Sequence, residues 1–308
     1  MRVIDPGAVN ASLVAAGMVA PAMEAAIDDA SVEQAQIFRA GRDLWPLFAE
    51  AAGIELARRP AEWRGDDVDG IEARMQALGF EARRAGDRVL TDEDYQVEPA
   101  QAVSALRQVL DDAVVQGRVS SVERAGGLWH VSVDGETLQA SAVVLATGAA
   151  DAVAGLPPAA HDLVAAIQPI RGQIGVLTRA LVDHTVRGPG AYVAPMAGGS
   201  VIGATMEPGR RDTAPDVTTG ERLTDAAWRV LGQPPELLEI EWRAGVRGAS
   251  ADGLPMAGPA PDDEGLFFAL APRRNGWLLG PLVAAVVADA VEGRAPSQEA
   301  RALDPRRF

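Results

Sequence analysis

The sequence predicts a mixed α/β fold in which a second, antiparallel sheet is inserted. Strand and helix patterns alternate through the middle of the chain. The apolar run at residues 142–146 ends in Thr147-Gly148 and is typical of a parallel strand buried on both faces. From residue 168 to residue 242 the pattern changes to strands separated by turns, which predicts a separate sheet.

The first elements follow from short-range signals. A strand is expected at residues 1–4, before a turn. Ser31 and Gln34 fit a capping box and predict a helix over residues 31–52, which Pro46 is expected to kink or divide. The apolar face of this helix is predicted to comprise Ile37, Leu44, Leu47 and Phe48.

The later elements alternate between helix and strand. A helix over residues 68–78 ends before Gly79, and another begins at Pro99, an allowed early position, and runs to about residue 114. Asp134-Gly135 is a hairpin signal. Further strands are predicted at residues 117–123, 128–133, 137–139, 174–178, 191–194, 200–204 and 266–270, and a final apolar helix at residues 278–291.

Composition excludes several classes of function. The 308 residues carry a net charge of −15, so the chain lacks the basic footprint of nucleic-acid or anionic-membrane binding. There is no cysteine, and the three histidines lack ligand spacing, so no metal site is expected. No apolar run is long enough for a membrane helix, and the first residues lack a signal-peptide layout. We therefore expect a cytoplasmic protein.

Nine segments, in order, carry a resemblance to a known family. They are VIDPG (3–7), AAGMVAP (15–21), VEPAQAVSAL (97–106), VVLATGA (143–149), PIRGQ (169–173), YVAP (192–195), GATMEPG (203–209), GVRGASADGLPMAG (245–258) and RRNGWLLGP (273–281). On these segments the chain resembles the D-amino-acid oxidase family of FAD-dependent oxidoreductases, and within it the glycine oxidases of thiamine biosynthesis. VVLATGA is shared by many flavoproteins, whereas the last three segments together are specific.

The resemblance implies both a fold and a reaction. An FAD-binding domain of the doubly wound type would comprise residues 1–45, 96–160 and 245–308. A substrate domain with an antiparallel sheet would comprise residues 46–95 and 161–244. The reaction would oxidise a small amino acid to the imino acid, which hydrolyses to the keto acid and ammonia, while oxygen becomes hydrogen peroxide.

The resemblance also implies the substrate-binding residues. Arg247 would anchor the substrate carboxylate, because the planar guanidinium fork matches a carboxylate in two parallel hydrogen bonds. Arg274 and Tyr192 would support it. The alternative is that these arginines are ordinary surface residues. Where relatives often have Gly-His and an aromatic residue before the second arginine, this chain has Ala271-Pro272-Arg273, and Arg273 is expected to add positive charge at the pocket mouth.

By matched position, the resemblance assigns the FAD contacts to three parts of the chain. Asp5 would bind the adenosine ribose, and the amides after Asn275 would face the flavin pyrimidine oxygen. The full set is Asp5, Pro6, Ala11, Ser12, Ala16, Gly17, Met18, Val119, Thr147, Gly148, Asn275, Gly276, Trp277, Leu278 and Leu279.

One departure concerns the G-x-G-x-x-G turn with which the family's dinucleotide unit begins. This sequence contains no such turn and starts where the second strand of that unit is expected. We expect either an N-terminal truncation or a non-catalytic remnant that does not hold FAD. Within the enzyme class, a secondary-amine oxidase of the sarcosine kind is the alternative. The expected partners are a small amino acid and oxygen; homo-oligomerisation is left open.

Overall fold

The computed structural model describes residues 1–8, 10–233 and 237–308 and has the mixed α/β class that the sequence predicts. The helices are α1 (Pro21–Ile27), α2 (Val32–Ala52), α3 (Val68–Ala77), α4 (Pro99–Leu110), α5 (Pro158–Ala165), α6 (Val217–Leu231), α7 (Gly276–Val291) and α8 (Gln298–Leu303). The strands are β1 (Val3–Asp5), β2 (Met18–Val19), β3 (Leu56–Arg58), β4 (Ala61–Arg64), β5 (Arg83–Ala85), β6 (Arg88–Thr91), β7 (Tyr95–Val97), β8 (Val114–Gln116), β9 (Val119–Ala125), β10 (Leu128–Val133), β11 (Glu136–Ala140), β12 (Val143–Leu145), β13 (Gln168–Leu177), β14 (Thr185–Gly188), β15 (Ala191–Met196), β16 (Gly199–Gly203), β17 (Glu207–Pro208), β18 (Glu241–Ala249), β19 (Met256–Pro259) and β20 (Leu266–Leu270).

Within the described residues the largest sheet has nine strands, in the order β17-β13-β16-β15-β14-β4-β6-β5, with β18 also paired to β13. All neighbours are antiparallel except β14 and β4, which run parallel. The longest pairing joins β13 to β18 from Gln168 opposite Ala249 to Val176 opposite Glu241. Helix α6 covers β14, β15 and β16 with an apolar face. This is the antiparallel sheet expected from the change of pattern after residue 168.

Two further parallel pairings lie in smaller sheets. Strand β1 pairs with β8, and β12 pairs with β20, both in parallel register. Strands β9, β10 and β11 form an antiparallel meander. Asp134 and Gly135 both have positive φ at the turn between β10 and β11, so the predicted hairpin is confirmed.

Helix α2 holds the start of α7 in place. A Cβ on Gly41 of α2 would lie 2.9 Å from the Leu278 carbonyl oxygen, so only glycine allows this approach. The Trp45 indole Nε1 donates to the Trp277 carbonyl at 2.8 Å. Leu278 and Leu279 are buried in the same core. The packing of two helices therefore fixes the position of residues 275–279.

The capping box of α2 is confirmed: the Ser31 side chain accepts from the Gln34 amide, and the Gln34 side chain accepts from the Ser31 amide. Of the two outcomes expected for Pro46, a kink or a division, the division does not occur, because α2 is continuous from Val32 to Ala52. Buried Trp45 next to the proline anchors the helix there, and the proline removes only one backbone hydrogen bond.

Two predictions of burial are also wrong. Leu47 is 73% exposed, because it lies about 200° around α2 from buried Trp45 at 3.6 residues per turn. Val144 of β12 is 44% exposed, since the described residues cover only one face of this short strand. Among the described residues, no helix is both long and apolar enough to cross a membrane.

Candidate active site

A cavity of about 260 Å³ lies where the large sheet meets helix α1 and the first turn of α7. Strands β14, β15, β16 and β18 contribute one wall, and the segment leading into β2 contributes another. The three side chains predicted to bind substrate, Arg247, Arg274 and Tyr192, all line it. Five of the positions predicted to bind FAD line it as well: Ala16, Gly17, Met18, Asn275 and Trp277.

Arg247 projects from β18 over its partner strand β13. A Cβ on Gly172 of β13 would overlap the Arg247 guanidinium, with Cζ only 2.5 Å away, so glycine there makes room for the side chain. The Arg247 Nη1 atom donates to the Thr205 carbonyl at 3.3 Å. In the described part of the chain no carboxylate forms an ion pair with Arg247. Burial lowers its pKa from the ordinary arginine value. Among the described residues, Arg247 is thus a cation without an anionic partner.

Tyr192 stands beside Arg247. On β15 it pairs with Gly203 of β16, and its ring and hydroxyl lie where a Cβ on Gly203 would be. Burial raises the pKa of the Tyr192 phenol, and the nearby Arg247 charge only partly opposes that rise. The hydroxyl therefore keeps its proton at neutral pH and can donate a hydrogen bond into the cavity.

Arg274 belongs to a buried network of charges centred on Glu24. The Glu24 Oε1 atom accepts from Arg187 Nη1 at 2.6 Å, and Arg274 Nε lies 2.5 Å from Glu24 Oε2. Arg274 Nη2 also lies 3.0 Å from Asp28 Oδ1, and Arg273 Nη1 lies 3.0 Å from Asp28 Oδ2. Arg273 therefore does not present the unpaired charge expected from the sequence. Burial raises the pKa of Glu24, but Arg274 and Arg187 outweigh that effect and hold it below its ordinary value.

Asp94 lies behind this network and is 3% exposed. Its Oδ1 atom is buried without a hydrogen-bond partner in the parts of the chain described here. Burial raises the pKa of Asp94 to about 8, against the opposing charge of Arg187. A group with that pKa is mostly protonated at neutral pH.

The segment of residues 15–18 is fixed by two contacts. Gln96 Nε2 donates to the Ala16 carbonyl at 2.8 Å and to the Pro195 carbonyl at 2.7 Å. Gly17 has a φ of +69°, and a Cβ there would overlap the Val97 carbonyl. Glycine at this position lets the chain bring Ala16 and Met18 to the cavity wall.

The first turn of α7 forms the adjacent wall. The Leu279 amide donates to the Asn275 carbonyl at 2.8 Å, so it is engaged within the helix. The amides of Gly276, Trp277 and Leu278 precede that first intrahelical bond. These amides, with the helix dipole, favour an electron-rich ligand at this end.

The other positions predicted to bind FAD lie outside this cavity. Ser12, Gly276 and Trp277 line a second cavity of about 370 Å³, and Trp277 lines both. The Trp277 indole donates to the Ser12 carbonyl at 3.2 Å. Asp5 accepts from the Gly7 amide and from Arg107, both at 2.8 Å, and these bonds lower its pKa. The remaining positions line neither cavity: Asp5, Pro6, Ala11, Val119, Thr147, Gly148, Leu278 and Leu279.

Three residues of the site were not recognised from the sequence: Glu24, Arg187 and Asp94. Glu24 is the only acidic residue in the apolar helix α1, which is a signal that sequence reasoning can use. Arg187 and Asp94 carry no comparable local signal. Across the described ranges, no group of three or more His, Asp or Glu side chains is placed to hold a metal ion.

The family assignment rests on the match over most of the chain. The family model DAO, described as FAD dependent oxidoreductase, matches residues 2–290. The chain belongs to this family. The resemblance read from the sequence is thereby confirmed, and so, at the level of the family, is the expectation of FAD as cofactor.

The matches to individual relatives cover only part of each relative's length. The chain is 37% identical over 178 residues to a glycine oxidase from Geobacillus kaustophilus, covering 55% of this chain and 45% of that protein. It is 32% identical over 238 residues to the tRNA 5-methylaminomethyl-2-thiouridine biosynthesis bifunctional protein MnmC from a Caulobacter species, covering 72% of this chain and 37% of that protein. The chain thus spans less than half the length of these relatives.

A solved structure confirms the fold. The crystal structure of glycine oxidase from Geobacillus kaustophilus matches with a TM-score of 0.80 at 22% identity. The match covers all of this chain and 92% of that one. The predicted combination of an FAD-binding α/β fold with an antiparallel sheet is therefore confirmed.

The residues at the flavin end of the site fit FAD. Gly17 lets the chain pass against the Val97 carbonyl, and this approach places Ala16 and Met18 at the cavity wall. Met18 and Trp277 supply apolar walls, and the first-turn amides of α7 supply donors. A helix N-terminus stabilises the negative charge that a reduced flavin carries. For the pyrophosphate of FAD the sequence provides no corresponding G-x-G-x-x-G turn.

Proposed function

We propose that this DAO-family chain oxidises the amine of glycine or another small amino acid to the imino acid, which hydrolyses to the keto acid and ammonia. When bound, FAD supplies the two-electron acceptor and passes the electrons to oxygen, giving hydrogen peroxide. The observation that carries the proposal is Arg247, a guanidinium without a carboxylate partner in the described chain, beside the Tyr192 hydroxyl in a small cavity.

Arg247 and Tyr192 together form a carboxylate site. The guanidinium can offer two parallel N–H groups to a carboxylate, and Tyr192 can add an O–H donor because its raised pKa keeps it protonated. Such an anchor fixes the α-carbon of the substrate relative to the flavin side of the cavity. Oxidation requires the reacting atoms to be held about 3–3.5 Å apart, so the anchor contributes mainly by positioning.

The cavity size favours a small substrate. Its volume of about 260 Å³ lies below the roughly 300–1,000 Å³ of cavities that take drug-sized ligands. Trp63 and Tyr192 occupy two of its sides. A long side chain on the substrate would have to displace such aromatic walls. Thiamine biosynthesis is the pathway that we propose for the product, on the resemblance to glycine oxidases in the sequence.

The test is the visible spectrum of the purified chain with FAD, recorded without oxygen before and after glycine is added. The flavin absorption should bleach with glycine and return on admission of air, together with hydrogen peroxide. Sarcosine, added separately, measures the secondary-amine alternative, because it carries the same carboxylate. A retained flavin that no small amino acid reduces would contradict the proposal.

A pair of variants on one strand tests the role of Arg247. Arg247→Met should lower kcat/KM for glycine by at least about 100-fold, because two charge-assisted hydrogen bonds of about 1.5–3 kcal/mol each are lost and 1.36 kcal/mol is a factor of ten. Arg243→Met is the matched control. Arg243 lies four residues before Arg247 on β18, is paired with Glu241, and does not line the cavity. Equal losses in the two variants would contradict the assignment of Arg247 as the anchor.

A further inference from the structure

Glu24 supplies the acidic side chain of the cavity wall among the described residues. It is 8% exposed and lies among the buried apolar residues Ala22, Met23, Ala25 and Ala26 of α1. Burying a carboxylate in such surroundings costs free energy unless the carboxylate is paired. The stability of the helix does not require that the carboxylate face a cavity. Its position therefore calls for an explanation in terms of a ligand.

Two arginines hold the Glu24 carboxylate in one orientation. Arg187 bonds Oε1 at 2.6 Å and Arg274 approaches Oε2 at 2.5 Å. Each carboxylate oxygen has two acceptor sites, so one acceptor on each oxygen remains for another donor. Oε2 in particular is buried without a hydrogen bond of good geometry in the described chain. The carboxylate is thus held rigidly yet keeps the capacity to accept.

Glu24 and Arg247 lie in the same cavity with opposite charge. Burial lowers the pKa of Arg247, and the charge of Glu24 is among those that oppose this shift, so Glu24 lies within electrostatic range of the guanidinium. An α-amino acid carries a carboxylate and an amine one carbon apart. The cavity therefore offers an anionic acceptor for the amine in addition to the cationic anchor for the carboxylate.

We propose that Glu24 accepts a hydrogen bond from the amino group of the substrate, with Arg187 and Arg274 as the residues that position it. The inference rests on the proposed oxidation of a small amino acid. It makes the amine, as well as the carboxylate, a requirement for tight binding. Glu24 thereby selects α-amino acids over simple carboxylates of the same size.

The test compares glycine with acetate, which keeps the carboxylate and lacks the amine. In Glu24→Gln, kcat/KM for glycine should fall at least about tenfold, because a charged acceptor is lost, while the inhibition constant of acetate should change less than about twofold. Acetate binding should also be measured by isothermal titration of the FAD-loaded protein, which needs no turnover. Glu24→Asp, which retains the charge on a shorter side chain, should show an intermediate loss.

Asp28→Asn is the matched control, because Asp28 shares Arg274 with Glu24 but does not line the cavity. This variant should leave the ratio between glycine and acetate within about twofold of the parent ratio, even if its stability falls. Parallel losses for glycine and acetate in Glu24→Gln would overturn the inference, since they indicate a structural role only. If Glu24→Gln does not fold, an unchanged ratio in Glu24→Asp overturns it as well. A parent protein that neither binds nor oxidises glycine refutes the proposed function, and the inference with it.

Discussion

Gly172→Ala should disable the carboxylate anchor without removing its charge. A Cβ at residue 172 would overlap the Arg247 Nη1 atom and lie 2.5 Å from Cζ and Nη2. Ordinary contacts begin at 3.4 Å, so the guanidinium carbon would have to retreat by about 0.9 Å. A displacement of about 1 Å can cost about 100-fold in rate. We therefore expect kcat/KM for glycine to fall about 100-fold, which corresponds to about 2.7 kcal/mol.

The assay is steady-state oxidation of glycine, with acetate as a competitive probe of the carboxylate site. A double-mutant cycle with Arg247→Met supplies the control. If Gly172→Ala acts through Arg247, it should add little to the loss already present in Arg247→Met. Additive losses would refute the reasoning, because they would place the effect in the β13–β18 pairing rather than in the guanidinium. Full activity of Gly172→Ala would refute it as well.

Three further predictions concern the surroundings of the anchor. Tyr192→Phe should lower kcat/KM for glycine about tenfold, because one donor of about 1–1.5 kcal/mol is lost, while thermal unfolding shifts little; a loss below twofold contradicts this. Asp94 has a pKa of about 8 in the folded protein against 3.8 for an ordinary carboxyl, so its ionisation in the unfolded chain lowers the parent's stability as pH rises from about 4 to about 8. Asp94→Asn lacks this ionisation, so it should be more stable than the parent near pH 7.5 and lose that advantage near pH 4. Denaturant unfolding at both pH values measures the difference. Gly41→Ala should destabilise the protein by about 1–3 kcal/mol in the same assay, because its Cβ would lie 2.9 Å from the Leu278 carbonyl; an unchanged midpoint argues against close α2–α7 packing.

Local signals predicted the elements that local interactions build. Ser31 and Gln34 close the capping box within one turn, and Asp134 and Gly135 form the hairpin that their conformational preferences favour. Burial was harder to predict because it depends on distant neighbours. Leu47 is apolar and yet exposed, since its direction on α2 is set by the stripe that packs on α7.

The candidate site could be predicted only in part, because some of its residues are brought together by contacts between distant parts of the chain. The motif around Arg247 placed it at the cavity, where the structure also places it. Glu24 was missed because its partner Arg187 lies 163 residues further along the chain, and no spacing in one sequence reveals such a pair. Arg274 was expected to support Arg247 at the substrate carboxylate, and no sequence signal showed that the fold places Glu24 and Asp28 against its guanidinium.

The charge balance of the network favours the carboxylate binding that we propose for this acidic protein. Arg187, Arg274 and Arg273 share the two carboxylates Glu24 and Asp28, and the raised pKa of Asp94 keeps a third carboxyl neutral at pH 7. These groups therefore carry one excess positive charge, and Arg247 adds a second. A local potential depends on the charges that line the site and on their burial, more than on the net charge of −15 spread over the chain. The buried arginines thus favour an anion at the Arg247 end of the cavity. Glu24 provides an acceptor for an amine, which a simple carboxylate such as acetate lacks.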